Sequence, residues 1–292
     1  MGQRLRQLYG KQLGFLPDLD RLSAADMESF SFRSTNMPRT VESLQQVVAG
    51  LLSGSGSPDA AGFVPRLLVR DMSVEDLLPN TVGCGVFRKL DEFFAAQAAL
   101  LWNPHLAKYD PDIKPHTEGH VIRVDSHPRL NGIMDTVNAS IAHGVAVPRC
   151  FVDNQQLTRD MERAVVTEWF SGYRSPDAAL RQKYRRLAMG RFLNSVGDCL
   201  ERKADSVGDG KALKLAVYAA HDTSLASILS TVDAFEDRWP AFTASLGIEL
   251  YKDARTQSQP GALSRIGSVL GLSAPARSPH CRFHYRLLMF DN

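Results

Sequence analysis

The sequence predicts an α/β core interrupted by a helical insertion, and three observations carry that reading. The run Leu213–Ala220 is small, apolar and nearly unbroken, as a buried strand is, and it passes straight into His221-Asp222-Thr223 and a helix. A second strand-to-helix passage lies near the N-terminus, where Phe30-Ser31-Phe32 leads into Arg33-Ser34-Thr35 and then Pro38. Between them, residues 84–205 repeat their apolar positions at helical spacing. Strand and helix at both ends, with helices between, fit a sheet-based core bearing a helical cap.

Each element follows in order. Leu5, Leu8 and Tyr9 share a face and predict a short first helix. Pro38 suits a first helical turn, and Val41, Leu44, Val47, Val48, Leu51 and Leu52 continue it as an amphipathic helix. Ser53-Gly54-Ser55-Gly56-Ser57-Pro58 ends that helix in a flexible loop. Val64–Val69 reads as a buried strand. Four helices follow, on Val86, Leu90, Phe93, Phe94 and Leu101; on Leu130, Ile133, Met134, Val137 and Ile141; on Leu157, Met161, Val165 and Trp169; and on Leu193, Val196 and Leu200. Pro111, Pro115 and Pro128 break them apart. After the 213–220 strand, Leu225, Ile228 and Leu229 mark a helix, Leu246–Tyr251 a strand, residues 253–281 a mobile loop, and His284–Phe290 a last strand.

Composition removes several function classes. The 34 Lys+Arg and 32 Asp+Glu leave a net charge of +2, against both a basic nucleic-acid binder and an acidic disordered chain. No apolar run reaches the ~18 residues of a transmembrane helix, and no secretory signal is visible. Cys84, Cys150, Cys199 and Cys281 form no CxxC pair, so a zinc or dithiol site is not expected. Phosphate-loop, GxSxG and HExxH signatures are missing.

The candidate chemistry rests on position. His221-Asp222 sits where open α/β sheets place their sites, at the head of a strand. The plain alternative is an Asp capping the next helix with a His packed beside it. Arg33 occupies the matching place after the first strand, where a guanidinium can fork onto a phosphate; the plain alternative is a surface Arg. His105, His116, His127 and His280 adjoin prolines in expected loops, and His143 sits near a helix end.

In order along the chain, these pieces resemble the histidine acid phosphatase family, a branch of the histidine phosphatase superfamily. Gly2-Gln3-Arg4-Leu5-Arg6-Gln7-Leu8-Tyr9 is similar to the helix after that family's LTxxG segment. Phe32-Arg33-Ser34-Thr35-Asn36-Met37-Pro38-Arg39-Thr40-Val41-Glu42-Ser43 resembles its RST…RT motif, and Ala220-His221-Asp222-Thr223 its HD motif. Trp239-Pro240, Glu249-Leu250 and the closing His284-Tyr285-Arg286 continue the likeness. Residues 133–138 and His143-Gly144 look like the lysophosphatidic acid phosphatase subgroup. The resemblance implies a phosphoglycerate mutase-like α/β/α core, made of residues 1–65 and 211–292, with a mainly helical cap at 66–210. It implies a phosphomonoesterase working through a phosphohistidine, with a small phosphate monoester as substrate, lysophosphatidate-like compounds among them. Arg33 and His221 would bind the phosphate and Asp222 would protonate the leaving alcohol, with no metal or organic cofactor.

The family's nucleophile lies in an RHGxRxP motif on a first, central strand, and no histidine of this chain follows an arginine. The expected first strand, the nucleophile and two arginines are therefore missing from these 292 residues. The favoured expectation is an N-terminally truncated form of an active enzyme; the alternative is a catalytically inactive phosphate-binding relative or interaction protein. Compartment is open, with cytoplasm or mitochondrion favoured.

Overall fold

A computed structural model describes residues 1–53, 65–206, 212–252 and 283–290. The chain opens with α1 (Gly2–Leu5), which continues as a π-helical turn through Gln12. Then come β1 (Phe30–Ser34), α2 (Pro38–Leu52) and β2 (Leu67–Val69). The period of two along β1 puts Phe30 and Phe32 on one face, their rings stacked 6.0 Å apart. They pack on Leu44, Val48 and Leu51 of α2. Burial of side chains this size contributes roughly 1.5–3 kcal/mol each. Arg33 falls on the opposite face.

α1 docks on α2 through glycine. A Cβ on Gly2 would lie 2.0 Å from the Val47 carbonyl oxygen, so no larger residue fits there. Arg6 is buried and donates to the Leu51 carbonyl (3.1 Å), putting a cation on the open carbonyls that end α2.

Residues 85–205 form a helical block: α3 (Gly85–Leu106), α4 (Asp110–Ile113), α5 (Leu130–Ala142), α6 (Cys150–Asp153), α7 (Gln155–Phe170) and α8 (Ala178–Asp205). Local chemistry starts the long helices. The Asn154 side chain accepts from the Leu157 N–H (3.1 Å), and Asp177 accepts from Leu180 (3.0 Å). One apolar cluster joins Phe87, Phe94, Tyr184 and Phe192 to Ala226, Ile228 and Leu229; a second gathers Leu106, Ile122, Leu130, Leu157 and Val165. Trp169 and Trp239 pack against both.

The chain returns to the sheet in β3 (Leu215–Ala219), then α9 (Asp222–Thr231), β4 (Ser245–Lys252) and β5 (Phe283–Phe290). The first sheet is parallel, in the order β2-β1-β3, with Arg33 opposite Tyr218 and Ser34 opposite Ala219. β4 and β5 make a separate antiparallel pair. No described strand pairs with the other edge of β3 or of β4. Between these edges lies a cavity of about 2650 Å³, lined by consecutive residues 213–220 and 244–252.

Several expectations change. β2 is not buried: Leu68 and Val69 are 50% and 39% exposed, because β2 is an edge strand. β3, read as a buried strand, is the other edge of the described sheet, and all five of its residues are only half-buried. On α3 the core face is Phe87, Phe94 and Ala98, while Val86, Phe93 and Leu101 face outward. His105 is helical rather than in a loop, since Pro104 falls in the last turn of α3, where its missing N–H frees only the carbonyl of exposed Leu100. The 53–58 loop and the 253–281 loop fall mostly or wholly outside the described residues.

Candidate active site

β3 delivers His221 to the N-cap of α9, in extended conformation (φ −123°, ψ 160°), and Asp222 becomes the first helical residue. The cap is therefore the histidine, not the aspartate. Ser224, buried in the first turn, accepts from the His221 N–H through Oγ (3.3 Å). The Thr35 N–H donates to the Ala219 carbonyl (3.2 Å), which ties the end of β1 to the end of β3.

That tie brings Thr35 Oγ1 to 3.0 Å from His221 Nε2. The direction of the bond follows from its neighbours. The Thr40 hydroxyl donates to the Met37 carbonyl (2.9 Å), so at its 2.8 Å contact with Thr35 it accepts. Thr35 has then spent its hydrogen and accepts from His221. Nε2 carries the proton in this state, an assignment made from the network. Burial of the imidazole, and after it the nearby Arg39, hold His221 below the usual histidine range against the pull of Asp222 and Glu75.

Asp222 is held at both oxygens. Oδ1 accepts from the Thr223 N–H (2.7 Å) and Oδ2 from the Trp239 indole N–H (2.8 Å). His221, Asp222 and Thr223 all line the large cavity, and among the histidines whose side chains are described His221 is the only one that does.

Arg33 is placed differently. It is 4% exposed rather than a surface group, and it does not line the cavity. Its Nη2 donates to Glu75 and Asp76, and Arg70 joins Asp76 at 2.9 Å. Glu75 is itself fixed by the N–H groups of Asp76 and Leu77, both at 2.8 Å. Arg33 Nε has no partner among the described residues. The cation that does line the cavity beside His221 is exposed Arg39, in the first turn of α2. Sequence reading did not single out Thr35 or the Glu75-Asp76 pair as site partners. The latter carries no motif; only the fold brings it to Arg33 across 42 and 43 positions.

The helical block supplies the facing wall. Met134, Val137, Phe151 and Met161 are apolar lining residues, and Arg129 and Glu162 are polar ones. Arg129 also pairs with Glu168, which is almost fully buried; burial pushes that carboxyl up to about 7 despite the arginine.

Residues 1–263 match the family model described as "Histidine phosphatase superfamily (branch 2)". A Schizosaccharomyces pombe protein described as a probable acid phosphatase is 39% identical over 261 residues, 88% of this chain and 54% of its own length. Human lysophosphatidic acid phosphatase type 6 is 26% identical over 256 residues, covering 86% of this chain and 54% of that protein. The bovine protein of the same name is 29% identical over 255 residues, with 86% and 54% covered. The chain thus spans about half the length of the curated relatives it matches. With nearly its whole length matched, and with His221 and Asp222 together at the head of a parallel strand, the chain belongs to branch 2 of the histidine phosphatase superfamily.

Proposed function

We propose that this polypeptide carries the phosphate-orienting and proton-donating part of an acid phosphatase site. The observation that carries the reading is the pair His221 and Asp222, side by side on the cavity, with both oxygens of Asp222 held by fixed donors. In the reaction, a histidine nitrogen attacks phosphorus and the P–O bond to the alcohol breaks. Asp222 gives its proton to the leaving oxygen, and water then releases phosphate from the phosphohistidine, with Asp222 as base. His221 turns its Nε2–H from Thr35 to a phosphoryl oxygen. Arg33 serves as the phosphate cation by turning part of its fork away from Glu75 and Asp76.

In this scheme His221 is the donor and the single cavity histidine among those whose side chains are described, so the attacking histidine comes from another segment. The two strand edges that no described strand pairs, lining one cavity, would accept an added strand bearing it. Residues 66–210 then act as a cap over a core of 1–65 and 211–292. The apolar wall of Met134, Val137, Phe151 and Met161 suits the acyl chain of a lysophosphatidate-like substrate, and the name of the human relative supports that class.

The test is turnover of an aryl phosphate at about pH 5, by this chain and by the chain joined to an N-terminal RHGxRxP segment. Turnover by the joined form alone, with phosphate trapped on its added histidine, is expected. In it, Asp222→Asn slows alkyl phosphates more than aryl ones, because a phenolate leaves without a proton. Robust turnover by the 292-residue chain, with phosphate on one of its own histidines, would overturn the scheme. The engagement of Arg33 by two carboxylates, which compete with phosphate for it, favours one other reading, a catalytically inactive relative that serves as an interaction protein. It predicts no turnover and no phosphate binding through Arg33, even in the joined form.

A further inference from the structure

We infer that Trp239 is the positioning residue of the Asp222 carboxyl, anchored in turn by Glu162 of α7. The kinetic consequence rests on the phosphatase reading above; the structural link does not.

Trp239 lies 17 positions after Asp222, in the segment between α9 and β4. That segment is irregular and holds Asp233, Asp237 and Thr243 at positive φ, so tertiary contacts rather than a helix or strand ladder place it. Three contacts do so for Trp239. Its main-chain N–H donates to Glu162 Oε1 (2.9 Å), and its ring packs against Trp169 (6.3 Å, edge-on) and Phe170 (5.8 Å). All three partners belong to α7. The indole N–H then reaches Asp222 Oδ2 at 2.8 Å.

The chemistry of the contact is specific. An indole donates and cannot accept, so Oδ2 is committed to it, while the Thr223 N–H commits Oδ1. With a rigid donor at each oxygen, the carboxyl plane cannot rotate without losing one of them. Neither donor moves when Asp222 gives up its proton, so both already point at the carboxylate that proton transfer leaves behind. Thr223 belongs to the same helix as Asp222, but Trp239 takes its position from α7. The orientation of the acid is therefore set by the helical block as well as by the sheet. A tryptophan that merely filled space would be replaced by phenylalanine with little effect on Asp222.

Indole NMR on the 292-residue chain tests the link directly. Its three tryptophans give three indole N–H signals, each assigned by substitution. Trp102, whose indole donates to Thr167 Oγ1 (2.9 Å), is the internal control. Asp222→Asn and Glu162→Ala are both expected to move the Trp239 signal and leave that of Trp102 in place. A Trp239 signal that ignores Asp222→Asn would overturn the inference. In the active joined form, Trp239→Phe is expected to lower kcat for alkyl phosphates on the order of tenfold, with aryl phosphates changed about twofold or less and KM unchanged. Equal loss on both substrates would overturn the positioning role and leave the phosphatase reading standing. No turnover by the parent joined form would instead refute the phosphatase reading, and the indole signals would still decide whether Trp239 holds the carboxyl.

Discussion

Replacing Glu168 with Gln should change how stability depends on pH, by an amount the structure sets. The Glu168 side chain is 4% exposed, and among the described residues its Oε2 has no partner and its single ion pair is to half-exposed Arg129. Burial raises it from 4.5 to about 7, with Arg129 opposing and the Asp91 and Asp125 charges adding to the rise. Between these values the folded chain holds a proton that the unfolded chain has lost. Unfolding free energy therefore falls as pH rises through that window, and the penalty is complete above the folded value. A carboxyl shifted this far carries about 3 kcal/mol once ionised. Glutamine keeps the shape and the acceptor for Arg129 but does not ionise. The difference in stability between Glu168→Gln and the parent should swing by about 3 kcal/mol toward the variant as pH goes from acid to mildly alkaline. His221 works in the opposite sense, staying uncharged when the unfolded chain takes up a proton below its usual 6.5, but it is common to both proteins and cancels. Urea unfolding across that pH range measures the swing. Parallel stability curves for the two proteins would show that Glu168 ionises normally and that its burial has been misjudged.

Two further outcomes follow from the site. Arg33→Ala should destabilise the chain by about 3–5 kcal/mol in urea unfolding, because Glu75 and Asp76 would remain buried without their shared cation; a surface arginine would give almost no change. Thr35→Val should cost about 1–3 kcal/mol through the lost bonds to His221 and Thr40, and Thr35→Ser should restore most of it; equal loss in both variants would mean that packing of the methyl, not the hydroxyl, matters.

The sequence by itself determined what local pattern controls. Period-two alternation in Phe30–Phe32, the helical stripe with Pro38 at its start, and the apolar run into His221-Asp222 were enough to place β1, α2, β3 and α9 and to mark the histidine–aspartate pair. Matching contexts also marked Arg33, but it lies inside β1 opposite Tyr218, and the residue after β1 that meets His221 is Thr35. Only the tertiary structure decided how these residues are used. Arg33 turns to Glu75 and Asp76 because the chain after β2 brings two carboxylates to its face of the sheet, and a buried guanidinium must find them. Asp222 takes its orientation from Trp239 because α7 holds that indole in an irregular segment with no periodicity to read. Spacing reports which face a side chain takes on its own helix or strand. Which charges and donors meet there depends on contacts between distant segments, and those form only when burial forces each polar group to find a partner.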